Sequence, residues 1–296
     1  CKLLNGTVKE LTNASYILSE EELRSGYILA CQSVPRGDVL IEVDDTATSA
    51  ARRTGAKVLA SDRLTHDILR LRVQFDEALP YQAGQFATLE FDDLPGVARN
   101  YSFASPPSPT AQTNFYVRKV PGGAFSTFVH EAALVGQRLR VEGPQGEFWL
   151  RDGKDPLLMV AGGSGLAPIL AMLEHAKECG HAARPVHLLF GARTRDDLYE
   201  LEVIRALQAQ WKAPFTFSPI LSAEPDGSEW KGARGLVADF IPPEAATNSD
   251  AYLCGPPPMV DAVLQKLLSS GGRRERIHAD RFITQKDLHS PQSSQP

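Results

Sequence analysis

Cysteine is scarce in this 296-residue chain, with four residues at positions 1, 31, 179 and 254. Their wide spread excludes the dense disulfide framework of a small secreted domain, and the chain is read as cytoplasmic. Positive charge is not in excess either. At a formal net charge of −5, the chain lacks the basic face that nucleic-acid partners usually meet, so none is expected. No apolar run reaches the about 18 residues that a membrane helix needs, which leaves no membrane partner. The seven histidines show no HxH or HxxxH spacing. GxSxG elbows and Walker motifs are absent too, so hydrolase and NTPase readings have nothing to stand on. What remains is the composition of an ordinary soluble globular protein, 43% hydrophobic and 23% charged, with room for two domains.

The richest stretch is Pro156 to Leu173 (PLLMVAGGSGLAPILAML). Leu157 to Ala161 reads as a short buried strand. Gly162, Gly163 and Gly165 then remove every Cβ where strand would turn into helix. From Leu166 the apolar period changes to that of a helix, through Ile169, Met172, Leu173 and Ala176, and Gly180 closes it. Pro168 suits a first helical turn. Bare N–H groups at such a helix start can meet a pyrophosphate. Because Pro168 stands where the third glycine of GxGxxG would be, the stretch alone leaves two readings open, a nucleotide phosphate site and a glycine-rich connection that binds nothing.

Upstream, residues 56–150 alternate like short strands punctuated by glycine and proline clusters, the pattern of an all-β barrel. Arg99-Asn100-Tyr101-Ser102 puts a cation, an aromatic and a hydroxyl on one such strand. A second segment, Val117-Arg118-Lys119 followed by Pro121-Gly122-Gly123-Ala124-Phe125-Ser126, runs through a glycine turn into a short helix near Ser126 to His130, a second phosphate cradle. Taken singly, Arg99 could equally be a surface ion-pair partner and Tyr101 a half-buried strand aromatic. Downstream, strands at Val186–Phe190, Phe215–Leu221 and Ala251–Cys254 alternate with helices, which implies a parallel sheet. Pro219 would suit only the edge of its strand. Arg276 to Phe282 reads as a final strand.

In this order the pieces resemble the ferredoxin–NADP reductase superfamily over residues 56–283. The resemblance implies that Arg99 holds the flavin pyrophosphate, Tyr101 packs on the isoalloxazine and Ser102 sits near flavin N5. It implies that Val117, Arg118, Gly122, Gly123 and Ser126 form a second FAD element. Gly162, Gly163, Ser164, Gly165, Ala167 and Pro168 match its pyridine-nucleotide motif. Cys254, Gly255, Pro256 and Met259 match the segment edging its nicotinamide pocket, and Phe282 its flavin-covering aromatic. Ser102 and Cys254 become the expected catalytic pair. Arg193 and Arg195 could bind the 2′-phosphate of NADPH. The preferred reading pairs them with Asp196 and Asp197 in a solvated loop, with NADH as donor and NADPH as the lesser option.

The opening residues, CKLLNGTV and then LSEEELRSGYILACQS, resemble the second half of a plant-type [2Fe–2S] ferredoxin. That family holds its cluster through C-x4-C-x2-C and a distant fourth cysteine. Cys1 matches the third ligand and Cys31 the fourth, which implies two further ligands upstream of residue 1. A short helix over Glu20–Leu23, capped by Ser19, and a strand over Val39–Val43 are expected here. The expected layout is therefore multidomain. A partial β-grasp ferredoxin fragment (1–45) and a linker (46–55) precede an antiparallel β-barrel flavin domain (56–150). An α/β parallel-sheet nucleotide domain (151–284) and a polar tail (285–296) follow. By resemblance the chain is a monomeric, FAD-dependent reductase component. It would pass hydride from NADH to FAD, then single electrons through [2Fe–2S] to a terminal oxygenase or hydroxylase. Two other readings are a redox-responsive nucleotide-binding module without turnover and a stand-alone NADPH-dependent ferredoxin or flavodoxin-type reductase.

Overall fold

The structure is a computed structural model that describes residues 1–11, 14, 18, 20–42, 51–180 and 182–283. Ser19, Val43, the first part of the expected linker and the tail 285–296 lie outside these residues. Residues 50–282 form one compact unit, and the N-terminal residues belong to another.

In the N-terminal unit, β1 (Lys2–Asn5) pairs antiparallel with β4 (Leu40–Glu42), and β2 (Val8–Glu10) with β3 (Ser33–Pro35). The expected short helix is α1 (Glu20–Arg24). Main-chain bonds tie residue 1 to residue 28, with Ile28 N–H donating to Cys1 O at 2.8 Å. Residue 1 is thus held beside residue 28, which lies three residues along the chain from Cys31.

In residues 50–282 the first half is a six-stranded antiparallel sheet. In chain order its strands are β5 (Arg52–Arg63), β6 (Ile68–Phe75), β7 (Phe86–Phe91), β8 (Arg99–Ser102), β9 (Gln112–Arg118) and β10 (Arg138–Gln145). Their spatial order is β8-β7-β10-β5-β6-β9. A bridge between Phe103 and Phe115 brings the two ends together, giving a near-closed barrel. Alternation does the work here. Phe91, Leu89 and Ala87 on β7, and Leu71 and Val73 on β6, point inward and are fully buried, while their neighbours face outward. Arg52 to Gly55, expected within the linker, are already strand. Arg52 to Thr54 pair with Gly143 to Val141, so cross-strand bonds override a polar composition.

The second half is a parallel sheet. Its strands are β11 (Leu157–Gly162), β12 (Val186–Ala192), β13 (Phe215–Leu221), β14 (Ala233–Arg234), β15 (Asp250–Gly255) and β16 (Ile277–Arg281), in the order β14-β13-β12-β11-β15-β16. Every residue of β11 is buried, as a central strand covered on both faces requires. Leu157, Met159 and Ala161 share a core with α3 (Leu166–Glu178) and α4 (Leu201–Gln210). Contacts with α5 (Pro243–Asn248) and α6 (Pro257–Ser269) complete the cover of β11 and β15. Gly180 follows α3 at φ +84°, the left-handed residue that commonly ends a helix. Pro219 sits where β13 has only β12 as a strand neighbour, because β14 pairs only with Ile220 and Leu221. Strand order reverses between β11 and its neighbours β12 and β15, so a crevice opens at the carboxyl ends of β11 and β15.

Candidate functional site at the sheet switch point

The glycines of the opening stretch meet the end of β15 in that crevice. A Cβ on Gly165 would stand 2.3 Å from the carbonyl oxygen of Cys254, and one on Gly162 2.5 Å from Met259 Sδ. Gly255, at φ +149°, would press its own Cβ to 2.9 Å from Gly162 O. Two loops can touch backbone to backbone here only because side chains are missing. Gly163 takes φ +54°, and α3 then starts without a side-chain cap, with Pro168 in its first turn. Its first N–H groups therefore carry no side-chain acceptor. Beside them lies a cavity of about 440 Å³, lined among others by Gly162, Gly163, Arg118, Pro256, Met259 and Leu236. That is a small-molecule volume.

From the barrel, His66, Asp67, Ile68 and Arg118 line the same cavity. Burial along β8 rises toward its end. Asn100 turns outward, its Oδ1 accepting from Thr88 Oγ1 at 2.8 Å, and Ser102 is buried. The Ser102 hydroxyl has no hydrogen-bond partner among the described residues. Arg99 is half-buried and meets no carboxylate among them, its Nη1 reaching only Ala98 O at 2.6 Å. Tyr101 packs against Phe125 with ring centroids 5.2 Å apart. Burial holds its phenol well above the usual range, opposed by the nearby Arg99 cation. An uncompensated cation, a neutral phenol and an unused hydroxyl share one short strand. They fit a flavin with its pyrophosphate.

The second cradle lies between β9 and α2 (Ala124–Glu131). Gly122 turns at φ +76° with open space where a Cβ would stand, and Gly123 leaves α2 without a side-chain cap. Ser126, expected as a flavin contact, spends its hydroxyl on the turn itself, accepting from Val120 N–H at 3.0 Å and donating to Gly123 O at 3.2 Å. It shapes the cradle. His130 Nε2 bonds Val117 O at 2.9 Å and anchors α2 to β9. Arg118 reaches across, within 3.5 Å of where a Gly163 Cβ would stand, and Asp67 holds its Nε at 2.8 Å. Arg118 thus stands beside the Gly163 loop, and with Arg99 and the uncapped amides of α2 and α3 it makes a donor set that suits two pyrophosphates.

Cys254 is fully buried at the end of β15, and desolvation, with Asp280 beside it, pushes its thiol well above the usual range. Asp280 is its register partner on β16. Burial raises that carboxyl to about 6, and Arg281 only partly offsets the shift. Phe282 follows, its N–H donating to Gly255 O at 2.9 Å, with its ring against the core.

Not every expectation survives. Arg193 and Arg195 are not paired with Asp196 and Asp197. Asp197 instead accepts from Thr194, through its N–H and hydroxyl, and sits 3.3 Å from His66 Nδ1. A short loop has more N–H donors than solvent-exposed guanidinium groups can outbid. Arg195 instead donates its N–H to Glu224 Oε2 at 2.8 Å. Histidine spacing promised no metal set, yet His66, Asp67 and Asp197 place ligand atoms within 4.8 Å of one another. Both carboxylates there are engaged, Asp67 by Arg118 and Asp197 by Thr194. Motif reading also passed over Asp67, Asp280, Tyr199 and Glu200. In the N-terminal unit, Cys1 Sγ lies 3.7 Å from Ile28 O. A [2Fe–2S] centre takes four thiolates, of which the expected ligands Cys1 and Cys31 would be two.

Comparison with known proteins meets this geometry. Residues 55–149 match the family Oxidoreductase FAD-binding domain, and residues 159–265 match Oxidoreductase NAD-binding domain. The chain is 41% identical over 285 residues to the xylene/toluene monooxygenase electron transfer component XylA of Pseudomonas putida, covering 95% of this chain and 81% of the relative. It is 33% identical to the phenol 2-monooxygenase reductase component DmpP of Pseudomonas sp. (strain CF600), covering 97% and 84%. Among solved structures, the ferredoxin reductase in carbazole 1,9a-dioxygenase superposes with a TM-score of 0.76 at 31% identity, over 95% of this chain and 85% of that one. With barrel, parallel sheet and both glycine cradles in place, the chain belongs to the ferredoxin–NADP reductase superfamily, as an NAD(P)H-dependent flavoprotein related to the electron-transfer reductase components of multicomponent oxygenases.

Proposed function

We propose that this protein takes hydride from NADH onto FAD in the switch-point crevice and hands single electrons on to a terminal oxygenase component. One observation carries the reading. The loop Gly162–Gly165 meets the segment Cys254–Gly255 backbone to backbone, and the cavity beside them is lined from the barrel by Arg118, in the same sheet that carries Arg99, Tyr101 and Ser102. When bound, the flavin supplies the change from two-electron to one-electron transfer.

The chain's own residues do the placing. Arg99 and the amides before α2 take the flavin pyrophosphate, Tyr101 offers an apolar face to the ring, and Ser102 Oγ directs a hydrogen bond at its reacting edge. Gly162 to Gly165 and the start of α3 hold the dinucleotide pyrophosphate, while Gly255, Pro256 and Met259 bound the nicotinamide. Cys254 presents a neutral thiol beside them, and Phe282 closes the crevice. Orientation of this kind can supply on the order of 7–11 kcal/mol of barrier reduction.

Two carboxylates near the ends of β12 and β13 support NADH as donor. Glu224, held below the usual carboxylate range by the Arg195 N–H, and Asp197 both stand by the loop that would meet a 2′-phosphate. The relatives' names support the oxygenase partner, and the protein is read as a cytoplasmic monomer. Anaerobic addition of NADH to the FAD-loaded protein should bleach the flavin band near about 450 nm, with kcat/KM higher for NADH than for NADPH. A protein that retains no FAD, or whose flavin stays oxidised, would refute the proposal. A higher kcat/KM with NADPH would refute the choice of donor.

A further inference from the structure

One buried polar chain within residues 50–282 has no part in the contacts assigned so far. Glu200 stands just ahead of α4 with its backbone at φ +54°, although it is not glycine. Its side chain is only 8% exposed. A single oxygen, Oε1, accepts from the Tyr116 hydroxyl at 2.8 Å and from Arg70 Nη1 at 3.1 Å. Tyr116 lies on β9 and Arg70 on β6, so this carboxylate is a point where the barrel grips the sheet half. Arg70 is braced in turn by Asp62, which accepts from its Nε and Nη2 at 3.3 and 3.1 Å.

The neighbouring residue completes the path. Tyr199 is buried, with its ring edge-on to Tyr116 at 5.5 Å and to Phe190 at 5.7 Å. Its hydroxyl donates to Gly163 O at 2.9 Å. Gly163 is the left-handed residue of the glycine loop and lines the cavity. Left-handed backbone at a non-glycine residue and a buried carboxylate are both costly. Such strain persists where the surroundings over-determine it, and it clusters at functional sites. Two barrel strands and one loop carbonyl do the over-determining here.

We propose that Glu200 is a positioning residue for hydride transfer. By clamping Arg70 and Tyr116 it fixes the bond from Tyr199 to Gly163. That bond sets how far the glycine loop brings the nicotinamide toward the flavin face of the barrel. This rests on the reading of the crevice given above. A plain interface contact would support stability alone, whereas a positioning contact controls the rate of the chemical step after the nucleotide is bound.

Stopped-flow reduction of the FAD-loaded full chain by NADH separates the two. Glu200→Gln keeps an acceptor for Tyr116 and removes the charge that holds Arg70. Tyr199→Phe removes one hydroxyl. Each is expected to lower the limiting rate of flavin reduction about tenfold, since displacements near 1 Å can cost more than that. The apparent Kd for NADH should stay within about threefold, and the long-wavelength absorbance of stacked nicotinamide and flavin should weaken. Because both act through one bond, the double variant should fall no more than about threefold below the worse single one. Limiting rates within twofold of the unsubstituted chain, a loss confined to Kd, or a double variant losing the product of both factors would overturn the proposal. Should Glu200→Gln fail to fold, Tyr199→Phe decides by the same rate and Kd criteria. If the unsubstituted chain itself fails to reduce its flavin, the reading of the crevice falls, and this inference with it.

Discussion

Cys254 and Asp280 face each other across two paired strands, and burial keeps both protonated longer than solvent would. The thiol is raised well above its ordinary range, so it offers a neutral S–H at working pH and resists electrophiles. Cys179 is exposed at the end of α3. Alkylation of the folded protein with iodoacetamide at pH 8, read by peptide mass spectrometry, should therefore label Cys179 and spare Cys254. Labelling of Cys254 at the rate of Cys179 would contradict its burial. For Asp280 the sign runs the other way from an ordinary salt-bridged carboxylate. Its folded value of about 6 lies above the usual 3.8. Well below pH 4 it is neutral in both states and costs nothing, and between about 4 and 6 the unfolded chain releases a proton that the folded one retains, so stability falls across that window and the full cost stands above pH 6. Asp280→Asn should be near-neutral for stability at pH 4 and stabilising by about 1–3 kcal/mol at pH 8. Urea unfolding at the two pH values checks this, and an Asn variant that loses stability at pH 8 would refute it.

The elements that carry the site are joined backbone to backbone, so their glycines are structural parts. Gly165→Ala drives a methyl group against the Cys254 carbonyl, where no flexible side chain can yield. Overpacking of this kind costs about 1–3 kcal/mol. The damage should be local. FAD retention, which depends on β8, β9 and α2, should be unchanged, while NADH reduces the flavin more slowly or needs a higher concentration. An Ala variant that keeps the original NADH response would show that the loop has slack. Local grammar made these elements readable in advance. Alternation and glycine–proline punctuation marked the barrel strands, Arg99 to Ser102 among them, and the change of period at Leu166 placed the start of α3. Ser126 shows the limit of that grammar. A hydroxyl after a glycine pair looks the same in sequence whether it serves a ligand or its own turn, and the turn claims it.

For residues 50–282 as a whole, the joint between barrel and sheet rests on buried charge as well as on apolar packing. Arg184 is 3% exposed. It holds the connection between the halves by donating to Asp155 O at 2.6 Å and Arg151 O at 3.1 Å, and it pairs with Asp250. Arg276 shares Asp250 from the other side at 2.8 Å. Arg184→Met should lower unfolding stability by about 3 kcal/mol, toward the smaller end for a broken buried pair because Arg276 remains. Denaturant unfolding measures it, and a change under 1 kcal/mol would show the pair to be dispensable. None of these contacts was legible in the chain. Arg184 is 66 residues from Asp250, and Arg70 is 130 from Glu200. A lone arginine in a loop carries no mark of its distant partner.

Short-range physics settled much of this molecule before any folding. Period and alternation defined strands and helices, glycine placement marked where two backbones must touch, and the combined motifs named the cofactors and the reaction class. Long-range physics settled the rest. Whether a carboxylate is an ion-pair partner, a clamp or a buried acid depends on desolvation and on the groups that close packing brings beside it. For Asp67, Glu200 and Asp280 those groups come from other strands and loops, so only the assembled barrel and sheet could assign them.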